Sequence, residues 1–227
     1  MKKIFFIAVV LFAQFTFAQE QETVSTDEKK CVLPKMDLYI GVGGVFYNDF
    51  TLNQKIKASG MPEIRETMPE LMIGFNSLWE KYSFDMDLSS SYSSKKNSTT
   101  ENKLASGTLR LRGHYNFVNK SRILLSGGLN VAYTHNDFNL YSRNNDINLN
   151  DLNPENNSGH VSLKNDIFYA GPSLAFNLKR KEKLSIRLNV GYEFAFTNGK
   201  WKSDYANVSN TVKENGQNRL MVGVVFF

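Results

Sequence analysis

The 227-residue sequence holds a single cysteine, Cys31, so no internal disulfide can staple the chain. Beyond residue 18 it has no apolar run approaching the roughly 20 residues that a helix needs to cross hydrocarbon, so any membrane crossing has to be made by strands. Charge of one sign is also scarce. The formal charge of +5 falls by two, to +3, once Lys2 and Lys3 are removed, and the remainder is too dispersed to argue for nucleic acid. No cofactor motif is present. The nearest approach to a metal loop is Asp146, Asn148, Asn150 and Asp151. It lacks the glycine of a calcium loop at the sixth place, which is Asp151, and the acid at the twelfth, which is Asn157, so it reads as a solvated loop.

At the N-terminus Lys2 and Lys3 precede an apolar stretch over 4–13, and residues 14–18 end in Thr16-Phe17-Ala18. A basic start, a short apolar core and a small-x-small end are the pattern of a secretory signal peptide, cut here before Gln19. The apolar core is about half the length of a spanning helix. Residues 19–35 are polar, have no apolar period and close with Pro34, which reads as a flexible periplasmic leader. Cys31 stands too far behind the apolar core, past Glu20, Glu22, Asp27 and Glu28, to be a lipid anchor.

From residue 36 onward the period is two. Over 36–47 Leu38, Ile40, Val42 and Phe46 alternate with Asp37, Tyr39, Gly41 and Gly43; over 70–79 Leu71, Ile73 and Phe75 alternate with Met72, Gly74 and Asn76. Over 82–93 Tyr82, Phe84, Met86, Leu88 and Tyr92 oppose Ser83, Asp85, Asp87, Ser89 and Ser91. The segments 104–118, 123–135, 167–179 and 184–197 repeat the pattern, the last offering Leu184, Ile186, Leu188, Val190, Tyr192, Phe194 and Phe196 to one side; 219–227 makes eight. Such alternation predicts strands with one apolar and one polar face. The final segment is apolar on both faces, so its facing stays open, and Pro172 within a strand predicts a bulge.

Connections alternate between short and long. Residues 80–81, 119–122 and 180–183 are tight turns, whereas 48–69, 94–103, 136–160 and 198–218 are longer loops. Short turns on one rim and long loops on the other are the habit of transmembrane barrels. A soluble sandwich also alternates with period two but needs no such rhythm. In lipid a closed ring is forced, because no backbone amide and no sheet edge can be left unpaired. The expected fold is all-β, an eight-stranded antiparallel up-and-down transmembrane β-barrel over 36–227.

These strands, the export signal, the phrase Tyr169-Ala170-Gly171-Pro172-Ser173-Leu174 and the terminal strand ending in Phe227 resemble the small outer-membrane barrel family related to outer membrane proteins A and X. The resemblance covers about residues 36–227 and implies an integral location in a Gram-negative outer membrane, contact with its lipid and lipopolysaccharide, and recognition of Phe227 by the barrel-insertion machinery during assembly.

The polar faces gather Asp85, Asp87, Arg110, Arg112, His114, Arg187 and Glu193 into one lumen, and a hairpin closed over 94–103 sets Asp85 opposite Arg112 and Asp87 opposite Arg110. An eight-stranded interior is about filled by side chains, so a structural polar plug is expected and a narrow gated pore is the alternative. Trp79, Tyr82, Tyr115 and Phe117 cluster beside short turns, where amphipathic rings suit the headgroup level. Lipid A deacylases among small barrels carry a His-x-Ser pair with a carboxylate, and His160-Val161-Ser162 with Asp166 offers the same residue types on one face. The acid at their wider spacing is missing. The favoured reading is a non-enzymatic barrel that strengthens the envelope or displays its loops to an extracellular partner, without cofactor, metal or nucleic acid.

Overall fold

The structure, a computed structural model, describes residues 34–143, 159–181, 183–209, 211–214 and 217–227. The signal segment 1–18, nearly all of the leader 19–35 with Cys31, and the Asn-rich loop with Asp146 to Asn157 lie outside the described residues.

Eight strands close into a ring: β1 (Lys35–Tyr47), β2 (Thr67–Leu78), β3 (Tyr82–Lys96), β4 (Thr100–Asn119), β5 (Ile123–Ser142), β6 (His160–Arg180), β7 (Lys183–Ala195) and β10 (Arg219–Phe226). Each barrel strand pairs antiparallel with its neighbour along the chain, and β1 closes on β10 from Ile40↔Phe226 to Tyr47↔Arg219. A minor hairpin, β8 (Gly199–Lys200) with β9 (Lys213–Glu214), and one helix, α1 (Thr51–Ala58), lie in the long connections. No described helix is long and apolar enough to cross a membrane.

The alternation in sequence becomes an inversion of the usual burial. Leu38, Ile40, Leu71, Ile73, Leu88, Leu129, Leu174 and Phe194 stand exposed on the outside, while Asp85, Asp87, Arg110, Arg112 and Glu193 are buried within. A continuous exposed apolar belt around a polar interior fits hydrocarbon as solvent, not water. The belt ends where the outward residues of β5 and β6 change from Tyr133 and Phe168 to His135, Asp137, Asp166 and Lys164. Above that level β4, β5 and β6 continue; at 20, 20 and 21 residues they are about twice the 9–11 needed to span.

Several expectations need correction. Residues 94–103 are not a long loop: the β3–β4 ladder runs from Tyr82↔Tyr115 to Lys96↔Glu101 and turns over 97–99, because serine, lysine and threonine pair well in a two-sided polar ribbon beyond the membrane. Pro172 makes no bulge. It pairs with Leu129 on the β5 side, whereas the β6–β7 ladder omits Gly171 and Pro172 without changing register. The register shifts fall instead at Asn116/Val118 between β4 and β5 and at Leu178/Lys179 between β6 and β7. The second shift turns Leu184 inward, out of phase with Ile186. The last strand faces Leu220 and Phe226 outward and Arg219, Met221 and Val225 inward.

Close packing at the proline explains its neighbour. A Cβ on Gly171 would stand 1.9 Å from the carbonyl oxygen of Tyr192, so only glycine lets β7 approach there.

Candidate functional site

The lumen is the candidate site, and it has two storeys. At membrane level β2, β3, β4, β7 and β10 direct four carboxylates (Glu70, Asp85, Asp87, Glu193) and four arginines (Arg110, Arg112, Arg187, Arg219) inward, all nearly without solvent exposure. Charge there balances. Arg110 is the hub: its Nε donates to Glu193 Oε1 (2.7 Å), Nη1 to Asp87 Oδ1 (3.2 Å) and Nη2 to Glu70 Oε1 (3.2 Å). Asp87 also accepts from Arg112 Nη1 (2.5 Å) and the Tyr39 hydroxyl (3.1 Å). Glu193 accepts from Arg219 Nε (2.5 Å) and Asn130 Nδ2 (3.1 Å). Each arginine–carboxylate pair shares one charge-assisted bond, and Arg110 joins three carboxylates through three different nitrogens, which holds geometry as well as charge.

Aromatic rings complete the arginines' environment. The Arg219 guanidinium lies 3.9 Å from the centre of the Tyr169 ring and donates to the Tyr47 hydroxyl (3.1 Å). Arg187 donates to Asp85 Oδ1 (2.7 Å) and lies over Tyr39 (4.9 Å) and Phe227 (5.2 Å). Phe227 itself turns inward and meets Tyr39 edge-on at 5.5 Å.

The sequence-derived register holds, Asp85↔Arg112 and Asp87↔Arg110, but facing Cα positions do not dictate ion pairs. Asp85 takes Arg187 and Asn76 (2.8 Å), while Arg112 turns to Asp87. The reason is reach: long guanidinium stems cross the ring, and the carboxylate on the facing residue is only one of several within range. His114 places Nε2 2.6 Å from Ser173 Oγ, with Asn116 the next inward residue below it.

Sequence reading omits Glu70 and Arg219. Glu70 shares the parity of Met72, Gly74 and Asn76 and could have been found by extending that phase; Arg219 begins the strand whose two faces are equally apolar, which hides its phase.

The second storey closes the long-loop mouth. Residues 48–66 and the described parts of 198–218 fold over it, and Val45, Phe50, Leu52, Ile56, Ile64, Met68, Leu104, Phe138 and Trp201 form one apolar core with Tyr47. Helix α1 buries Leu52, Asn53 and Ile56 on one face. Its N-terminus has no local side-chain cap; Glu214, 162 residues downstream of Leu52, accepts from the amides of Thr51 (2.7 Å) and Leu52 (3.1 Å) and from Trp201 Nε1 (2.6 Å). A carboxylate there satisfies orphan donors and suits the positive end of the helix. Asn53 pins the returning chain, accepting from the Ile64 amide (2.7 Å) and donating to Asp49.

On the outside, Trp79, Tyr82, Tyr115 and Phe117 are all exposed beside the β2–β3 and β4–β5 turns, with Tyr82 and Tyr115 rings 5.6 Å apart and Tyr115 and Phe117 6.0 Å apart. The His-x-Ser residues form no relay with Asp166. His160 stacks on Tyr141 at 4.5 Å and contacts Asn139 Oδ1 (2.9 Å), while Asp166 accepts from Tyr133 (2.6 Å) and engages His135 Nδ1 (2.8 Å). Among the described residues no group of His, Cys, Asp and Glu side chains could hold a metal ion.

Neither a protein-family model nor a curated protein matches the sequence. Among solved structures, the attachment invasion locus protein Ail of Yersinia pestis aligns over 86% of this chain and 99% of its own, with 6% identity and a TM-score of 0.48. Neisserial surface protein A aligns over 85% and 98% with 13% identity and a TM-score of 0.44, and a major outer membrane protein of Thermus thermophilus over 84% and 98% with 11% identity and a TM-score of 0.41. The assignment rests on this chain's own strand pairing and inverted burial: it is a closed eight-stranded antiparallel β-barrel of the outer-membrane type, apolar without and polar within.

Proposed function

We propose that this barrel is a non-enzymatic, non-conducting component of a Gram-negative outer membrane, whose lumen is a structural plug and whose working surface is its long-loop rim. The observation that carries this reading is the double closure: a charge-balanced network fills the ring at membrane level, and α1 with Trp201 covers the mouth above it. An eight-stranded interior has room for little else. The long loops then face the outside of the cell, the leader and short turns face the periplasm, and surroundings are outer-membrane lipid and lipopolysaccharide. The terminal strand with Phe227 is offered to the insertion machinery during assembly. Specificity for an extracellular partner belongs to the polar extension of β4, β5 and β6.

The mature chain is expected in the outer-membrane fraction and to change mobility on a gel when heated, because a closed barrel resists detergent. Recovery from the soluble periplasm would refute the reading. Ser162→Ala should leave lipid A acylation unchanged; a rise in acylation, from a lost deacylase, would restore the enzyme alternative.

A further inference from the structure

The short-turn rim carries an excess of cations that neither the lumen nor the long loops use. Lys120 and Arg122 occupy the β4–β5 turn, and Lys179, Arg180, Lys181 and Lys183 surround the β6–β7 turn, against one acid in its sequence, Glu182. The ladder brings these turns together: Ile123 faces Leu178, and the Lys179 amide donates to the Arg122 carbonyl (2.8 Å). Between them lies an open groove of about 660 Å³ lined by Ser121, Arg122, Ile123, Leu178, Arg180 and Lys181, together with Lys179. Among the described residues Lys120, Arg122, Arg180, Lys181 and Lys183 form no ion pair, in contrast to Lys164 at the opposite rim, which pairs with Asp204 at 2.5 Å. The β2–β3 turn, by comparison, balances Glu80 with Lys81. Lys181 also takes a left-handed backbone, φ 49°, where glycine or asparagine is the usual occupant.

We propose that this groove binds the headgroup of an anionic glycerophospholipid in the leaflet that meets the short turns. The proposal rests on the transmembrane reading above and names a lipid for one rim. The chemistry is split as a lipid requires. Arg122, Arg180 and Lys181 supply positive charge at the headgroup level, and Ser121 a hydroxyl. Ile123 and Leu178 form the apolar floor, and Leu178 continues outward through Phe176 and Leu125 into the belt that acyl chains cover. A soluble anion would use the cations but not that floor. Basic side chains next to a bilayer surface each add up to about fivefold to affinity for anionic lipid, an effect screened by salt.

The test uses the full chain reconstituted in phosphatidylcholine vesicles containing a minor fraction of phosphatidylglycerol. Leu178→Trp is the reporter, read over the signal of Trp79 and Trp201, and brominated forms of each lipid are the quenchers. Brominated phosphatidylglycerol should quench the reporter about tenfold more effectively per mole than brominated phosphatidylcholine at low salt, and the triple variant Arg122→Gln/Arg180→Gln/Lys181→Gln should abolish the difference. Exposed turn substitutions leave folding nearly unchanged, and heat-shifted gel mobility verifies it. Equal quenching by both lipids in the reporter alone, or a preference that survives in the triple variant, overturns the proposal. Displacement by millimolar inorganic phosphate would mark a soluble-anion site and overturn it as well. A barrel that inserts without lipid preference removes this proposal alone; one that does not insert removes the transmembrane reading too.

Discussion

Asp87 is the position at which the lumen network can be broken most informatively. Its carboxylate accepts from Arg110, Arg112 and Tyr39; among the described residues it is the only carboxylate in contact with Arg112, whereas Arg110 also holds Glu193 and Glu70. Asp87→Ala therefore leaves one guanidinium buried and uncompensated. At an effective dielectric of about 20, a unit pair about 4 Å apart is worth about 4 kcal/mol, in line with the roughly 3–5 kcal/mol lost when one partner of a buried pair is removed. Glu70→Ala leaves Arg110 with two other carboxylates and should cost less, about 1.5–3 kcal/mol for a lost charged hydrogen bond. Adding Arg112→Met to Asp87→Ala removes the orphan and should return most of the loss. The assay is urea unfolding in lipid vesicles followed by tryptophan fluorescence, with double-mutant cycles. Coupling should be strong for Asp87 with Arg112 and for Asp85 with Arg187, and weak for Asp85 with Arg112, which face each other in the register without touching. Strong coupling of Asp85 with Arg112 and none with Arg187 would refute the reach argument.

Glu214→Ala should release the cap without unfolding the ring: α1 loses its tertiary N-terminal acceptor, worth about 1 kcal/mol, and Trp201 its partner, so protease cleavage within 48–66 should rise and Trp201 emission should shift to the red while heat-modifiable mobility persists. Unchanged cleavage would show that the latch is not Glu214. Gly171→Ala should lower stability by about 1–3 kcal/mol or block folding, because the new Cβ meets the Tyr192 carbonyl, and vesicle refolding yield reads it; normal yield and stability would contradict the close approach.

The ring was legible in the sequence because lipid imposes period two on every spanning residue; a slip of one position in β3 would have sent Asp85 and Asp87 into hydrocarbon. The cap was not. Its helix is eight residues long, its acceptor lies far along the chain, and its apolar core is assembled from scattered residues of two loops and four strands. The lumen was legible in part: parity identified which charges point inward, while pairing depended on side-chain reach across the ring. Where the phase broke, at Leu184, a register shift between β6 and β7 carried the change, and no local pattern announces it.

Single-channel recording in planar bilayers tests the central claim most directly. The intact barrel should be silent, with at most rare, small openings. Shortening Arg110, Arg112 and Arg187 to alanine should leave it nearly so, since Arg219 stays in the lumen and the apolar cap still closes the mouth, and only the further removal of residues 51–58 should give steady current. Large, sustained conductance from the unmodified protein would contradict the plugged barrel and make the arginines an anion-favouring constriction in an open pore.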